Sequence, residues 1–301
     1  MGENKTKEGI LFALGCYVIW GISPLYWALV DDIGAFEILA YRMIFSLIFM
    51  AMLVPILKNK EALRRDWYYI KSDRNRLFMV LACSVLITIN WGTFIWGVNN
   101  GYVLQSSLGY YIMPLVSIIL ALVFEKETFN KMEWTAIVMS FIGILFMIIR
   151  IGEVPVISLL LAFSFGFYGL IKKHLIIDAT SSISFETIII APFAIIYAIY
   201  LFIAGQSDVG LNISSFWLLF SGAITAIPLI LFSKGAKYIP VSLMGFLIYI
   251  NPTIQFLLGV FVFKEPFDRA QVITFMFIWI GVILYSTSKY RDAKKKRRAI
   301  V

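Results

Sequence analysis

Apolar runs of about twenty residues recur from one end of this chain to the other, with only short polar interruptions between them. A hydrocarbon core roughly 30 Å thick takes about 20 helical residues per crossing, so each run has the length of one transmembrane helix. Of the 301 residues 60% are apolar and 15% charged, and nothing is left over for a soluble domain. The chain therefore reads as an all-α polytopic membrane protein. Ten helices are expected, at residues 8–30, 37–57, 77–98, 103–124, 132–150, 155–172, 184–204, 214–234, 241–263 and 269–288. The first run lacks a small-x-small cleavage pattern and reads as a span, not as a removable signal. Cys16 and Cys83 both fall in apolar runs and make no disulfide framework.

The net charge of +8 is explained by where the basic residues lie. With a cytoplasmic N terminus, 22 of the 26 Lys and Arg fall in the N tail, the alternate loops and the C tail, three (Arg150, Lys264, Arg269) lie outside, and Arg42 alone is within a span. Translocation disfavours Lys and Arg, so both termini are expected inside. The tail "KYRDAKKKRRAIV" then serves as a stop-transfer segment that contacts anionic lipids at the cytoplasmic face, with no nucleic-acid role. The longest loop, Lys58 to Arg76, has mixed charge around Trp67, Tyr68 and Tyr69 and reads as an amphipathic interfacial segment.

A shift of 138 residues lays "GYYIMPLVSIILALVFEKETF" over "LIYINPTIQFLLGVFVFKEPF" without a gap. Pro114 meets Pro252, Lys126 meets Lys264, Glu127 meets Glu265 and Phe129 meets Phe267; Gly97 over Gly235 and Gly143 over Gly281 keep the register. The chain is thus expected to be duplicated, with a first five-helix repeat in residues 1–150, a second in 151–290 and a basic cytoplasmic tail in 291–301. Five is odd, so the second copy enters the membrane inverted. Inverted repeats about an axis in the membrane plane are the architecture of alternating-access transporters, whose substrate sites lie near the midplane.

Polar or kinked positions inside spans are costly unless they face a cavity or another helix. Arg42 in span two either holds a substrate carboxylate or phosphate by paired N–H donors, or snorkels and satisfies neighbouring carbonyls. Asn90 lies deep in span three, and Asn251 and Gln255 share a face of span nine; each is either a cavity group or interhelical glue. Trp20, Trp91, Trp96 and Tyr168 are candidates for an aromatic cavity wall, and Tyr110 shares a face of span four with Pro114 and Ser117. Pro24, Pro114 and Pro252 each free a backbone carbonyl and are expected flexing points. Gly97, Gly101 and Gly143 read as close-packing positions. In "YVIWGISPLYW", residues 17–27, Pro24 frees the carbonyl of Trp20, which a lipid-facing helix could not tolerate; that side should face protein or cavity.

Catalytic patterns are missing. His174 is the single histidine, beside Lys172 and Lys173 at a cytoplasmic boundary and read as solvated; there is no H-E-x-x-H or G-x-S-x-G, no paired intramembrane Asp and no clear mid-span carboxylate. No metal and no cofactor are expected. A membrane-embedded enzyme or sensor for a lipid-soluble molecule is the alternative, and it would need convergent reactive groups on facing spans.

The stretch "YVIWGISPLYW", with "EILAYRMIFSLIF", "NWGTFIWGVNNGYVLQSSLGYYIMPLVSIILALVFEKE" and "AIPLILFSKGAKYIPVSLMGFLIYINPTIQFLLGVFVFKE", resembles the RarD family, in the EamA branch of the drug/metabolite transporter superfamily. The resemblance runs over nearly the whole chain. It implies ten spans, cytoplasmic termini, two EamA repeats and a bacterial inner-membrane location. Members of that family are described as permeases and named for an effect on chloramphenicol sensitivity. Tyr41 stands where the family pattern leads one to expect His, while Arg42 matches. Physical reading and resemblance together lead to a secondary transporter for a small amphipathic metabolite or drug, with Trp20, Arg42, Asn90, Tyr110, Tyr168, Asn251 and Gln255 as substrate-binding candidates.

Overall fold

The structure is a computed structural model that describes residues 3–100, 102–152, 155–264 and 269–298. Within them there are thirteen helices and no strand. In chain order these are α1 (Glu3–Trp27), α2 (Ala35–Ile56), α3 (Lys60–Lys71), α4 (Arg74–Asn99), α5 (Val103–Val123), α6 (Lys131–Ile151), α7 (Val156–His174), α8 (Ala179–Ile203), α9 (Ile213–Leu218), α10 (Ser221–Tyr238), α11 (Val241–Ile248), α12 (Ile250–Phe261) and α13 (Arg269–Arg298). Among the described residues, ten stretches are long and apolar enough to cross a bilayer, with α9–α10 and α11–α12 each forming one of them. Helices answer the bilayer's demand that every backbone N–H and C=O be satisfied within the segment.

The duplication is visible in how the helices pack. α1 lies along α10 and α4 along α7; α5 packs on α7, and α12 on α1; α2 meets α8, α5 meets α11, and α6 meets α13. Exchanging the repeats maps this set of contacts onto itself. Details 138 residues apart repeat as well. Lys126 and Lys264, each just beyond a span, have φ of 51° and 53°, left-handed values that a side-chain-bearing residue adopts at an energetic cost. At the α6–α13 seam, a Cβ on Gly143 would sit 2.9 Å from the carbonyl of Thr274, and one on Gly281 would sit 2.8 Å from that of Ala136. Ala136 and Thr274 are themselves 138 apart, so each glycine admits the other repeat's backbone. The hydroxyl of Tyr249 donates to the carbonyl of Tyr111 at 3.4 Å, joining two repeat-equivalent residues across the pseudo-two-fold axis. Glu265 and Phe267, the second copy of the turn, and Gly101 lie outside the described residues.

Several boundaries differ from the sequence expectation for physical reasons. α1 starts at Glu3, five residues early, because helix hydrogen bonding continues through polar residues that hydropathy excludes. The ninth span breaks at Tyr249, whose N–H turns to the carbonyl of Phe246 at 3.3 Å; Pro252 withholds the N–H that would have bonded to Ile248. The segment after span two is helical (α3), with Asp66 and Ile70 buried and Trp67 and Tyr68 exposed. Asp66 Oδ2 accepts the backbone N–H of Asp178 at 2.8 Å, which fixes α3 to the start of α8. α13 continues as helix through Arg298 into the basic tail.

The two ends of the molecule are tied together differently. On the side of the termini, Glu127 accepts from the N–H of Val241 and from the hydroxyl of Ser242, Lys289 pairs with Glu133 at 2.7 Å, and Lys173 pairs with Glu125 at 2.9 Å. His174 also bonds to Glu125, a partnership the sequence reading of a solvated histidine lacks. Burial opposes ionisation of Glu125, but hydrogen bonds and charge from Lys173 and His174 outweigh it and hold the carboxyl below its ordinary range. At the opposite end, Glu37 accepts from Ser207 Oγ and from the N–H of Asp208 at 2.9 Å, and Asp208 in turn accepts from the N–H of Gly34 at 2.9 Å.

Candidate functional site

α1 reaches the interior with Pro24 one turn from its end. The freed carbonyl of Trp20 is taken by Ser23 Oγ at 2.8 Å and by Gln255 Nε2 at 3.4 Å, from α12 of the other repeat. The break in hydrogen bonding is therefore satisfied inside the protein and ties the repeats together. Beside it lies a cavity of about 370 Å³, within the range of small-molecule sites. Trp20, Pro24, Trp27, Arg42, Asn90, Trp91, Tyr110, Asn251 and Gln255 are among its walls, so both repeats contribute. The residues from α1 and α4 come from the last half of each helix, and those from α2 and α5 from the first half. The cavity therefore occupies the half of the molecule away from the termini and ends near mid-depth.

Each polar wall group has a defined setting. Arg42 is packed between two indoles, its guanidinium carbon 4.8 Å from the ring centre of Trp27 and 4.2 Å from that of Trp91, and its Nε donates to Thr225 Oγ1 at 3.1 Å. These are the contacts by which the fold holds a cation inside a span without a carboxylate. Asn90 Nδ2 donates to the carbonyl of Leu161 at 2.8 Å and to Ser164 Oγ at 3.1 Å on α7, which links the repeats and fixes the amide. Asn251 is 6% exposed, and its Oδ1 has no hydrogen-bond partner. Tyr110 stands edge-on to Phe94, with ring centres 5.4 Å apart.

The floor is aromatic. Phe165 packs on Trp20 (5.7 Å between ring centres) and on Phe232 (5.1 Å), and Phe232 stacks on Tyr168 at 5.6 Å. Tyr168 thus lies one layer beyond the cavity, toward the termini, and is fully buried. Its hydroxyl donates to Glu186 Oε2 at 3.1 Å. Glu186 also pairs with Lys172 and accepts from Ser182 Oγ at 3.0 Å, and Lys172 donates to Ser182 Oγ at 2.7 Å. This buried ion pair escapes a reading from hydropathy, which puts Glu186 at the edge of its span. Because α8 begins at Ala179, the carboxylate sits two turns inside. A void of about 10 Å³ bordered by Ser117, Phe165 and Phe232 lies on the same side of the floor.

Pro114 and Pro252 are buried within α5 and α12 and do not border the cavity. Trp96 faces outward, 47% exposed, and stacks on Tyr102. Trp27, Phe94 and Phe165, which sequence reasoning did not single out, are walls; in a chain with 26 Phe and 8 Trp, composition gives no means of telling a wall from a lipid-facing ring.

The model of the EamA-like transporter family matches twice, over residues 7–149 and 154–287. The chain is 38% identical to the uncharacterized transporter YojE of Bacillus subtilis, over 98% of its own length and 99% of the relative's. It is also 38% identical to protein RarD of Escherichia coli, over 95% and 96% of the two chains. A solved crystal structure of a protein 14% identical to this chain superposes with a TM-score of 0.71 over 93% of this chain and 98% of that one, which shows a shared fold.

Proposed function

This chain belongs to the EamA-like transporter family and is a multi-pass membrane transporter, and on that premise we propose that it is a secondary transporter working by alternating access. Its cargo is a small amphipathic metabolite or drug, carried across a bacterial inner membrane with both termini in the cytoplasm. The observation that carries the reading is a cavity that is walled by both repeats, reaches mid-depth and is separated from the termini side by the Phe165–Phe232 layer and the Lys172–Glu186 pair. A site near the axis that relates two inverted halves can be offered to either side as the halves exchange conformations. Opening at the other end then requires the aromatic floor to part.

Ser23 borders the cavity, whereas the native Cys16 and Cys83 are fully buried and shielded from thiol reagents. In Ser23→Cys protein, a membrane-impermeant maleimide is expected to label the new thiol in right-side-out and in inverted vesicles alike. Labelling from one face alone in both preparations would overturn alternating access.

A further inference from the structure

We propose that the cavity takes a monoanionic organic carboxylate with a flat apolar body. The acid group is held by Arg42. This inference rests on the transporter reading above and specifies the substrate class of that site.

Charge carries the argument first. Arg42 is the only charged side chain on the cavity wall among the described residues, and no Asp or Glu borders it. The nearest acid along the same helix, Glu37, is engaged by Ser207 and the N–H of Asp208 in the loop at the helix end. The one hydrogen bond of Arg42 uses Nε, and its two contacts with indole rings use none of its N–H groups. The two terminal amino groups are left as a fork, the geometry that takes a carboxylate with two parallel hydrogen bonds. A structural arginine at this depth would be expected on a carboxylate or on carbonyls, and this one has a single hydroxyl.

The count of cations selects among anions. One guanidinium neutralises one negative charge, so a phosphate dianion would bring an uncompensated charge into an aromatic-walled cavity, where burial of charge is severely penalised. The indole and phenyl rings of Trp20, Phe94 and Phe165 then cover a flat apolar body.

The test uses purified full-length protein in detergent, with thermal shift and tryptophan fluorescence as readouts. Four probes are compared: 2-hydroxy-3-phenylpropanoate, its primary amide, 3-phenylpropanoate and 2-phenylethyl phosphate, together with the indole analogue of each. The acids are expected to bind saturably, the hydroxy acids at least about tenfold more tightly than their amides, and the phosphates more weakly than either acid. Arg42→Gln should remove the preference for acid over amide. If that variant does not fold, the acid–amide comparison in the unmodified protein decides alone. Amides that bind as well as the acids, or no saturable binding of any acid at millimolar concentration, would overturn the assignment. The two readings fail separately: two-sided labelling of Ser23→Cys with no acid preference removes only the carboxylate, and acid binding with one-sided labelling removes only alternating access.

Discussion

Replacing Lys172 by Met leaves the carboxylate of Glu186 buried without its counter-ion, and the structure sets the size of the penalty. Both partners are sealed from solvent, with side-chain exposures of 0% and 4%, so screening by water does not soften the loss. Breaking such a pair by removing one partner costs about 3–5 kcal/mol. The two partners are not equally dependent on each other. Glu186 keeps two hydroxyl donors, Ser182 at 3.0 Å and Tyr168 at 3.1 Å, when Lys172 is removed. Lys172 keeps only Ser182 Oγ at 2.7 Å and the face of Tyr168 at 5.1 Å when Glu186 is removed. A hydrogen bond to a charged group is worth about 1.5–3 kcal/mol, so Lys172→Met should sit near the low end, about 3 kcal/mol, and Glu186→Leu near 5 kcal/mol. The double variant removes both charges and should return to within about 1–2 kcal/mol of the parent. Unfolding in mixed detergent–SDS micelles, followed by tryptophan fluorescence, measures all four corners of the cycle. Single variants within about 1 kcal/mol of the parent, or a double variant as unstable as the sum of the singles, would refute the reasoning.

Further expectations follow from the packing and the termini-side turn. Gly222→Ala places a Cβ into the carbonyl oxygen of Phe45, so α10 and α2 must separate, and a loss of about 3 kcal/mol or more should appear as a lowered unfolding midpoint; an unchanged midpoint would contradict the described contact. Gly143→Val crowds Thr274 and Phe277 on α13 and should cost about 1–3 kcal/mol by the same measurement, with a midpoint equal to the parent's as the contrary result. Gln255→Leu removes one of two donors to the Trp20 carbonyl and should cost about 1 kcal/mol, rising when combined with Ser23→Ala because the carbonyl is then left bare; simple additivity would argue against a shared acceptor. Glu125 has its folded pKa depressed below the unfolded value, so its stabilisation is present at neutral pH and is lost as pH falls through the folded value. The melting temperature of Glu125→Gln should accordingly lie below that of the parent near neutrality and converge with it well below pH of about 4, whereas a pH-independent gap would point to packing instead.

The architecture was legible because the bilayer leaves few options and because the repeat carries markers that greasy composition cannot mimic. Lys126 and Lys264 share not only a residue type but a left-handed backbone, and the Gly143 and Gly281 contacts exchange under the same offset. In the site, polar atoms in apolar helices stand out: Arg42, Asn90, Asn251 and Gln255, together with Trp20 and Tyr110, border one cavity. Tyr168 reads in the sequence as an aromatic wall candidate, but Phe165, one turn earlier, takes the wall and leaves Tyr168 to the polar cluster behind it. The Lys172–Glu186 pair was hidden because its members come from adjacent helix ends, where hydropathy alone reads charge as the start of a loop. Neither residue shows its partner until the α7–α8 turn folds them together.

The claim that matters most is that one pathway is opened alternately at its two ends. Ser23 borders the cavity on one side of the aromatic floor, and Ser117 borders the small void on the other. Labelling rates of Ser23→Cys from the face away from the termini, and of Ser117→Cys from the termini face, should be measured in the parent background and with Lys172→Met, which weakens the closure between them. A two-state exchange requires reciprocity: Lys172→Met should slow the first rate and raise the second. Both rates rising together, or a Ser117→Cys thiol that stays unreactive in every background, would contradict it.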